Sequence, residues 1–206
     1  VLLAAAVASS LLFIGLAAVA AGQQFLDLDY PTRSLVQWAR TPLLDRPMIE
    51  VSRLGQSDGL LPLIGAGMLI LWRFDRRWTF ILPAVMLGVG TLQWIFKAAV
   101  SRPRPNLRPE GFPSGHVMVV VVLFGLALYL LWSVTVSRRW QTCGLAVCAL
   151  AITSVAYSRM YLEFHWLSDV VGGLVGGTAY LLFVLLVLER VRPAASLRRR
   201  TLPPGA

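Results

Sequence analysis

Long apolar runs broken by short polar gaps set the plan of this chain. Val1 to Ala21, Thr79 to Ile95, Val117 to Val134, Thr142 to Tyr157 and Val170 to Leu188 each read as a membrane helix. A sixth run, Asp58 to Trp72, is shorter and holds Pro62, which makes it the weakest of the set. Ala18-Val19-Ala20 resembles a signal-peptidase site, so a cleaved leader competes with a retained first helix; we carry the retained helix forward. The chain starts without Met, which leaves a start upstream of Val1 open. Gly22 to Ser57 has a different texture. Apolar Leu35, Trp38, Met48, Ile49, Val51 and Leu54 are interspersed with arginines, and Asp45, Pro47 and Glu50 suggest a helix start. The pattern predicts short amphipathic helices at the interface, either packed on the bundle or forming a gate for a lipid. The predicted fold is all-α: a six-span membrane bundle in one domain, 1–190, with a basic, Pro-rich tail, 191–206, expected to be disordered.

Composition agrees with the pattern. At 57% hydrophobic and 14% charged, the chain is too apolar for an ordinary soluble domain. A net charge of +9 could point to nucleic acid, but the charges sit in the gaps between apolar runs, where they act as topology signals. With six spans, one side of the membrane holds ten arginines against Asp75 and Glu189, a net of +8. The other side holds nine basic and eight acidic residues, a net of +1. Positive charge inside then predicts cytoplasmic termini and places Lys97, His116, Arg159 and Asp169 together at the outer ends of four helices. Cys143 and Cys148, five apart in one run, are expected to be apolar packing residues, and no His/Cys metal motif is present.

The candidate chemistry lies at that outer end. Lys97 to His116 contains four prolines and cannot form a regular helix. It holds Lys97, Arg104-Pro105 and Pro113-Ser114-Gly115-His116; Ser158-Arg159, His165 and Asp169 follow downstream. Both histidines of the chain are in this set. Lys97, Arg104 and Arg159 can surround a phosphate, and arginine can bind two oxygens at once. Ser114 is expected to cap the fourth span and offer its hydroxyl, with the N–H groups of Gly115 and His116 aimed at the same anion and Gly115 leaving room for close approach. His165 and Asp169 are one helical turn apart if the segment is helical, so the carboxylate can fix the imidazole and leave its other nitrogen as a nucleophile. His116 is then left to protonate the departing alkoxide and activate water.

These residues fit K-x6-R-P, P-S-G-H and S-R-x5-H-x3-D, in that order, over Lys97 to Asp169. The chain therefore resembles the type-2 phosphatidic acid phosphatase family, which shares its site with bacterial acid phosphatases and vanadium haloperoxidases. The resemblance implies a lipid phosphatase with His165 forming a phosphohistidine, Asp169 supporting it and His116 as acid and base. It implies that Lys97, Arg104, Ser114, Gly115 and Arg159 bind phosphate, that no metal or other cofactor is used, and that the site faces the periplasm or exterior. The expected partner is a lipid phosphate or pyrophosphate such as phosphatidic acid, phosphatidylglycerol phosphate or an isoprenoid pyrophosphate. Transfer to a second lipid is the alternative outcome; a transporter is disfavoured because the spans carry almost no charge away from their ends. Arg102 and Arg108 are extra cations expected either to read a second phosphate or headgroup or to be solvated, and Glu163 is expected to repel doubly charged headgroups or face water. Tyr161 and Trp166 are expected to anchor the interface, and Gly172, Gly173, Gly176 and Gly177 to allow close helix packing.

Overall fold

The computed structural model describes residues 1–134 and 137–191. Among these, all regular structure is helical: α1 (Leu2–Ala21), α2 (Asp29–Trp38), α3 (Pro42–Arg53), α4 (Ser57–Phe74), α5 (Arg76–Val100), α6 (Gly115–Val134), α7 (Arg138–Tyr161) and α8 (Leu167–Val191). Six of them, all but α2 and α3, are long and apolar enough to cross a membrane, so the protein is a multi-pass membrane protein. The tail expected from 191 onward lies, from 192, outside the described residues.

Helix lengths depart from the predicted spans at the ends that matter. α5 runs on past the predicted Ile95 to Val100 and carries Lys97 on its last turn, and α7 runs on past the predicted Tyr157 to Tyr161 and carries Ser158 and Arg159. The helices satisfy their own backbone groups, so they outlast the apolar run that announces them. Asp75 alone links α4 to α5, its side chain accepting from the Arg77 N–H at 3.1 Å, so Arg73, Arg76 and Arg77 lie at a helix end and a helix start. α3 starts at Pro42, not at Asp45, because Pro42 fits the first helical position and Asp45 falls in the first turn.

α6 is the central span. Its sequence is apolar all round, as a helix surrounded by other helices requires, and Val117 to Val122 are all buried. α8 packs against it along a glycine face. A Cβ on Gly173 would come within 2.6 Å of the Ser114 carbonyl, and one on Gly177 within 2.9 Å of the Met118 carbonyl. The backbones can meet this closely only without side chains there, as expected of the glycine stripe. α1 lies against α8 and α5, with Phe13 stacked on Phe112 at 5.8 Å.

α2 and α3 pack across the site end of the bundle. Gln37 donates to the Tyr161 carbonyl at 3.1 Å. The buried Tyr161 hydroxyl donates to the Thr41 carbonyl at 2.8 Å and accepts from the Thr41 N–H at 3.2 Å. Tyr161 therefore pins the α2–α3 corner rather than anchoring the membrane interface. Trp166 is buried as well, donating to the Pro103 carbonyl at 3.0 Å among Phe25 and Tyr30. Both corrections have one cause: a covering layer of short helices turns an apparent surface into interior.

Candidate active site

The site is assembled from the end of α5, the loop 101–114, the start of α6, the end of α7 and the turn into α8. Ser101 closes α5 in the left-handed region, φ 50°, its N–H donating to the Lys97 carbonyl at 3.0 Å. Glu110 also has a positive φ, 65°, and its carbonyl is the point on which two predicted cations converge. Lys97 Nζ donates to it at 2.8 Å, and Arg104 Nη2 and Nε at 3.3 and 3.4 Å. The loop folds back closely on the Asp169 carboxylate, since a Cβ on Gly111 would stand 3.1 Å from Asp169 Oδ2.

Ser114 leads into α6, its carbonyl accepting from the Met118 N–H at 3.0 Å and its own N–H donating to the Asp169 carbonyl at 2.9 Å. The Ser114 hydroxyl, fully buried, has no hydrogen-bond partner in the protein. It therefore does not act as the helix cap the sequence suggests. A Cβ on Gly115 would overlap the Gln93 side chain, so that glycine makes room for Gln93, one turn before Lys97 on α5, rather than only for a ligand. Gln93 was not singled out in the sequence; its signal is the i, i+4 spacing to Lys97 on an otherwise apolar face.

Arg159, 5% exposed, points into the site from α7. Its Nη1 donates to Ser52 Oγ of α3 at 2.6 Å, its guanidinium lies 4.4 Å over Phe164, and its Nε has no partner. Gly55, in the α3–α4 turn, rests on His116: a Cβ there would come within 2.9 Å of the His116 backbone. Ser52 and Gly55 are thus site residues that the sequence reading missed. Asp45, Met48 and Ser52 share the inward face of α3 by their i, i+3, i+7 spacing, and that spacing is the available signal.

His165 lies in the turn before α8, not on a helix, yet its ring meets Asp169. Nδ1 stands 3.5 Å from Asp169 Oδ2, longer than a hydrogen bond, and Nδ1 has no hydrogen-bond partner. Burial, and then the positive charges of Arg159, Lys97 and Arg104, hold the imidazole well below its ordinary range, so it is neutral at pH 7.

Behind His165 lies a buried ionic cluster. Arg102, only 1% exposed, donates to Ser168 Oγ at 2.7 Å, to Asp169 Oδ1 at 3.2 Å and to Asp29 Oδ2 at 3.1 Å. Asp29, the first residue of α2, accepts from the Ser168 N–H at 2.8 Å and lies 2.7 Å from Ser168 Oγ, so it caps α8 from another helix. Asp169 Oδ2 accepts from the Trp166 N–H at 3.0 Å, an N3 carboxylate reaching back to the start of its own helix. Arg102 therefore neither reads a headgroup nor is solvated; two buried carboxylates hold it inside. Arg108 remains exposed. Glu163 neither faces water alone nor faces the phosphate site, because it pairs with Arg33 at 2.7 Å. Among the described residues, no group of three or more His, Cys, Asp and Glu could hold a metal ion.

Comparison with known proteins follows the same lines. The PAP2 superfamily profile matches residues 108–193, which include His116, Arg159, His165 and Asp169 and leave Lys97 and Arg104 just outside. Phosphatidylglycerophosphatase B of Bacillus subtilis (strain 168) is 30% identical over 158 residues, 71% of this chain and 75% of that protein. Dolichyldiphosphatase 1 of Homo sapiens is 28% identical over 148 residues, covering 64% of this chain and 61% of that protein. The crystal structure of a transmembrane PAP2-type phosphatidylglycerolphosphate phosphatase from Bacillus subtilis superposes with a TM-score of 0.75 at 25% identity, over 91% of this chain and 97% of that one.

Proposed function

The chain belongs to the PAP2 superfamily, and on that premise we propose that it releases phosphate from a membrane lipid phosphate or pyrophosphate through a phosphohistidine on His165. One observation carries the reading. At the His165 site the buried Ser114 hydroxyl and Arg159 Nε have no partner in the protein, and the positive charges of Arg159, Lys97 and Arg104 reach the imidazole. Buried donors of this kind call for an acceptor. A phosphate supplies several acceptor oxygens and the charge that balances the cations.

In this mechanism Lys97, Arg104, Arg159, Ser114 and the first N–H groups of α6 hold the phosphoryl oxygens. The His165 nitrogen away from Asp169 attacks phosphorus. The bond from phosphorus to the leaving oxygen breaks, and His116 gives that oxygen its proton. Asp169, 3.5 Å from Nδ1, balances the charge the ring gains. His116, now neutral, takes a proton from water; the hydroxide oxygen bonds to phosphorus, the N–P bond breaks, and inorganic phosphate leaves. No step is assigned to a metal. The arginine asymmetry supports a site on the outer face of a cell membrane, where a headgroup would meet it while the chains stay in lipid.

The test is phosphate release by the detergent-purified protein, with EDTA present, from a panel of lipid phosphates and pyrophosphates. Release that persists in EDTA and disappears in His165→Ala is expected. Full activity in that variant removes His165 as nucleophile, and a strict metal requirement removes the metal-free route.

A further inference from the structure

The two sides of the site differ in chemistry. On one side Lys97 and Arg104 close on the Glu110 carbonyl. On the other, a groove of about 440 Å³ opens beside His116 and Arg159, between α3 and the α7–α8 turn. Its walls are Ile49 and Gln56 on one flank and Leu162 and Phe164 on the other. Arg159 is the one permanent cation among its lining residues, His116 being charged only until it gives up its proton, and Arg159 is also assigned to the transferred phosphoryl group. Arg46 and Arg53 of α3 do not line the groove, and Arg53 is paired with Glu50 at 2.8 Å and Asp58 at 3.5 Å. Arg33 and Arg40, on the same end of the molecule, are paired with Glu163 and Asp45. Beyond Arg159 and the His116 that gives up its proton, the groove thus presents apolar carbon, the Gln56 amide and the Ser52 hydroxyl, with no further positive charge.

We propose that this groove is the leaving-group subsite and that it takes a neutral alcohol, so that the preferred substrate is a lipid phosphomonoester rather than a lipid diphosphate. The proposal rests on the phosphatase reading and on His116 as proton donor, because the acid must stand beside the oxygen that departs. In a monoester the bond from phosphorus to that oxygen breaks, the His116 proton goes to it, and a neutral lipid alcohol remains in the groove. Gln56 can hydrogen-bond its hydroxyl or ester oxygens while Ile49, Leu162 and Phe164 cover the first carbons of its chains. In a diphosphate the departing group is itself a lipid phosphate and keeps at least one negative charge. Between Ile49, Leu162 and Phe164 that charge loses hydration and gains no cation, since Arg159 is already shared with the phosphoryl group. The groove therefore disfavours the diphosphate through an unpaired charge.

A matched pair of substrates isolates the second phosphate: diacylglycerol phosphate and diacylglycerol diphosphate, with the same chains, in the same detergent. For the full-length protein kcat/KM is expected to favour the monoester by at least about tenfold. Gln56→Arg, at an exposed position, puts a cation on the groove wall and is expected to shrink that ratio several-fold, chiefly by raising diphosphate turnover; Ile49→Arg repeats the test from α3 itself. A wild-type preference for the diphosphate overturns the proposal while leaving the phosphatase reading intact. A ratio unmoved by both variants overturns the placement of the leaving group. No release from either lipid, with release from an isoprenoid pyrophosphate in the wider panel, overturns this proposal alone; no release from any member of that panel overturns the phosphatase reading and this proposal with it.

Discussion

Two arginines, both almost fully buried, flank the His165–Asp169 pair, and their surroundings are opposite. Arg102 lies behind the pair with two carboxylates, Asp29 and Asp169, within 3.1 and 3.2 Å. Arg159 lies in front with a serine hydroxyl at 2.6 Å, an aromatic ring and no carboxylate at ion-pair distance among the described residues. Both leave Nε without a partner, so that orphaned donor does not separate them; counter-charge does. A buried cation that the fold has neutralised belongs to the structure. One that it has left without counter-charge is suited to an anion that arrives later. The comparison makes different predictions for the two.

Arg102→Met has the larger expected effect, and it falls on folding. It leaves Asp29 and Asp169 facing each other without a cation, and breaking a buried pair from one side costs about 3–5 kcal/mol. Thermal unfolding in detergent should show a large fall in midpoint, and Asp29→Asn in the same background should recover part of it by removing one of the stranded charges. An Arg102→Met protein as stable as the wild type would erase the distinction between the two arginines.

Arg159→Met is expected to do the reverse. Removing it strands no carboxylate, and stability should change much less than with Arg102→Met. Phosphate release should fall roughly 10²–10³-fold, the usual loss for one preorganised charge stabiliser. If turnover survives while the protein unfolds readily, Arg159 belongs with Arg102.

Much of this was legible in the residues. Apolar runs announce all six spans, and the spacing from Lys97 to Asp169 announces a common site, because helix ends on one side of a membrane must meet. The two arginines show where legibility stops. Arg102 and Arg104 alternate with prolines in one Arg-Pro-Arg-Pro stretch, and nothing local says which is turned inward. The deciding residue is Asp29, 73 positions upstream on a different helix. Ser52 and Gly55 were missed for the same reason: their partners, Arg159 and His116, are reached only through the packing of α3. Tyr161 and Trp166 were misplaced because hydropathy cannot tell a bilayer boundary from a lid of short helices.

The smallest predicted effect sharpens the contrast from outside. Arg33 and Glu163 form an ion pair at 2.7 Å beside the same α7–α8 turn, but the Arg33 side chain is 40% exposed and that of Glu163 26%. Water already screens such a pair, so Glu163→Gln should cost at most about 1 kcal/mol, and less as salt is raised. The relative rates on singly and doubly charged lipid headgroups should not change, because the carboxylate is held toward α2 rather than toward the phosphate site. A shift in that preference would mean that Glu163 lets go of Arg33 and reaches the substrate. The counter-charge rule would then need a third case, a paired surface residue that exchanges its partner when an anion binds.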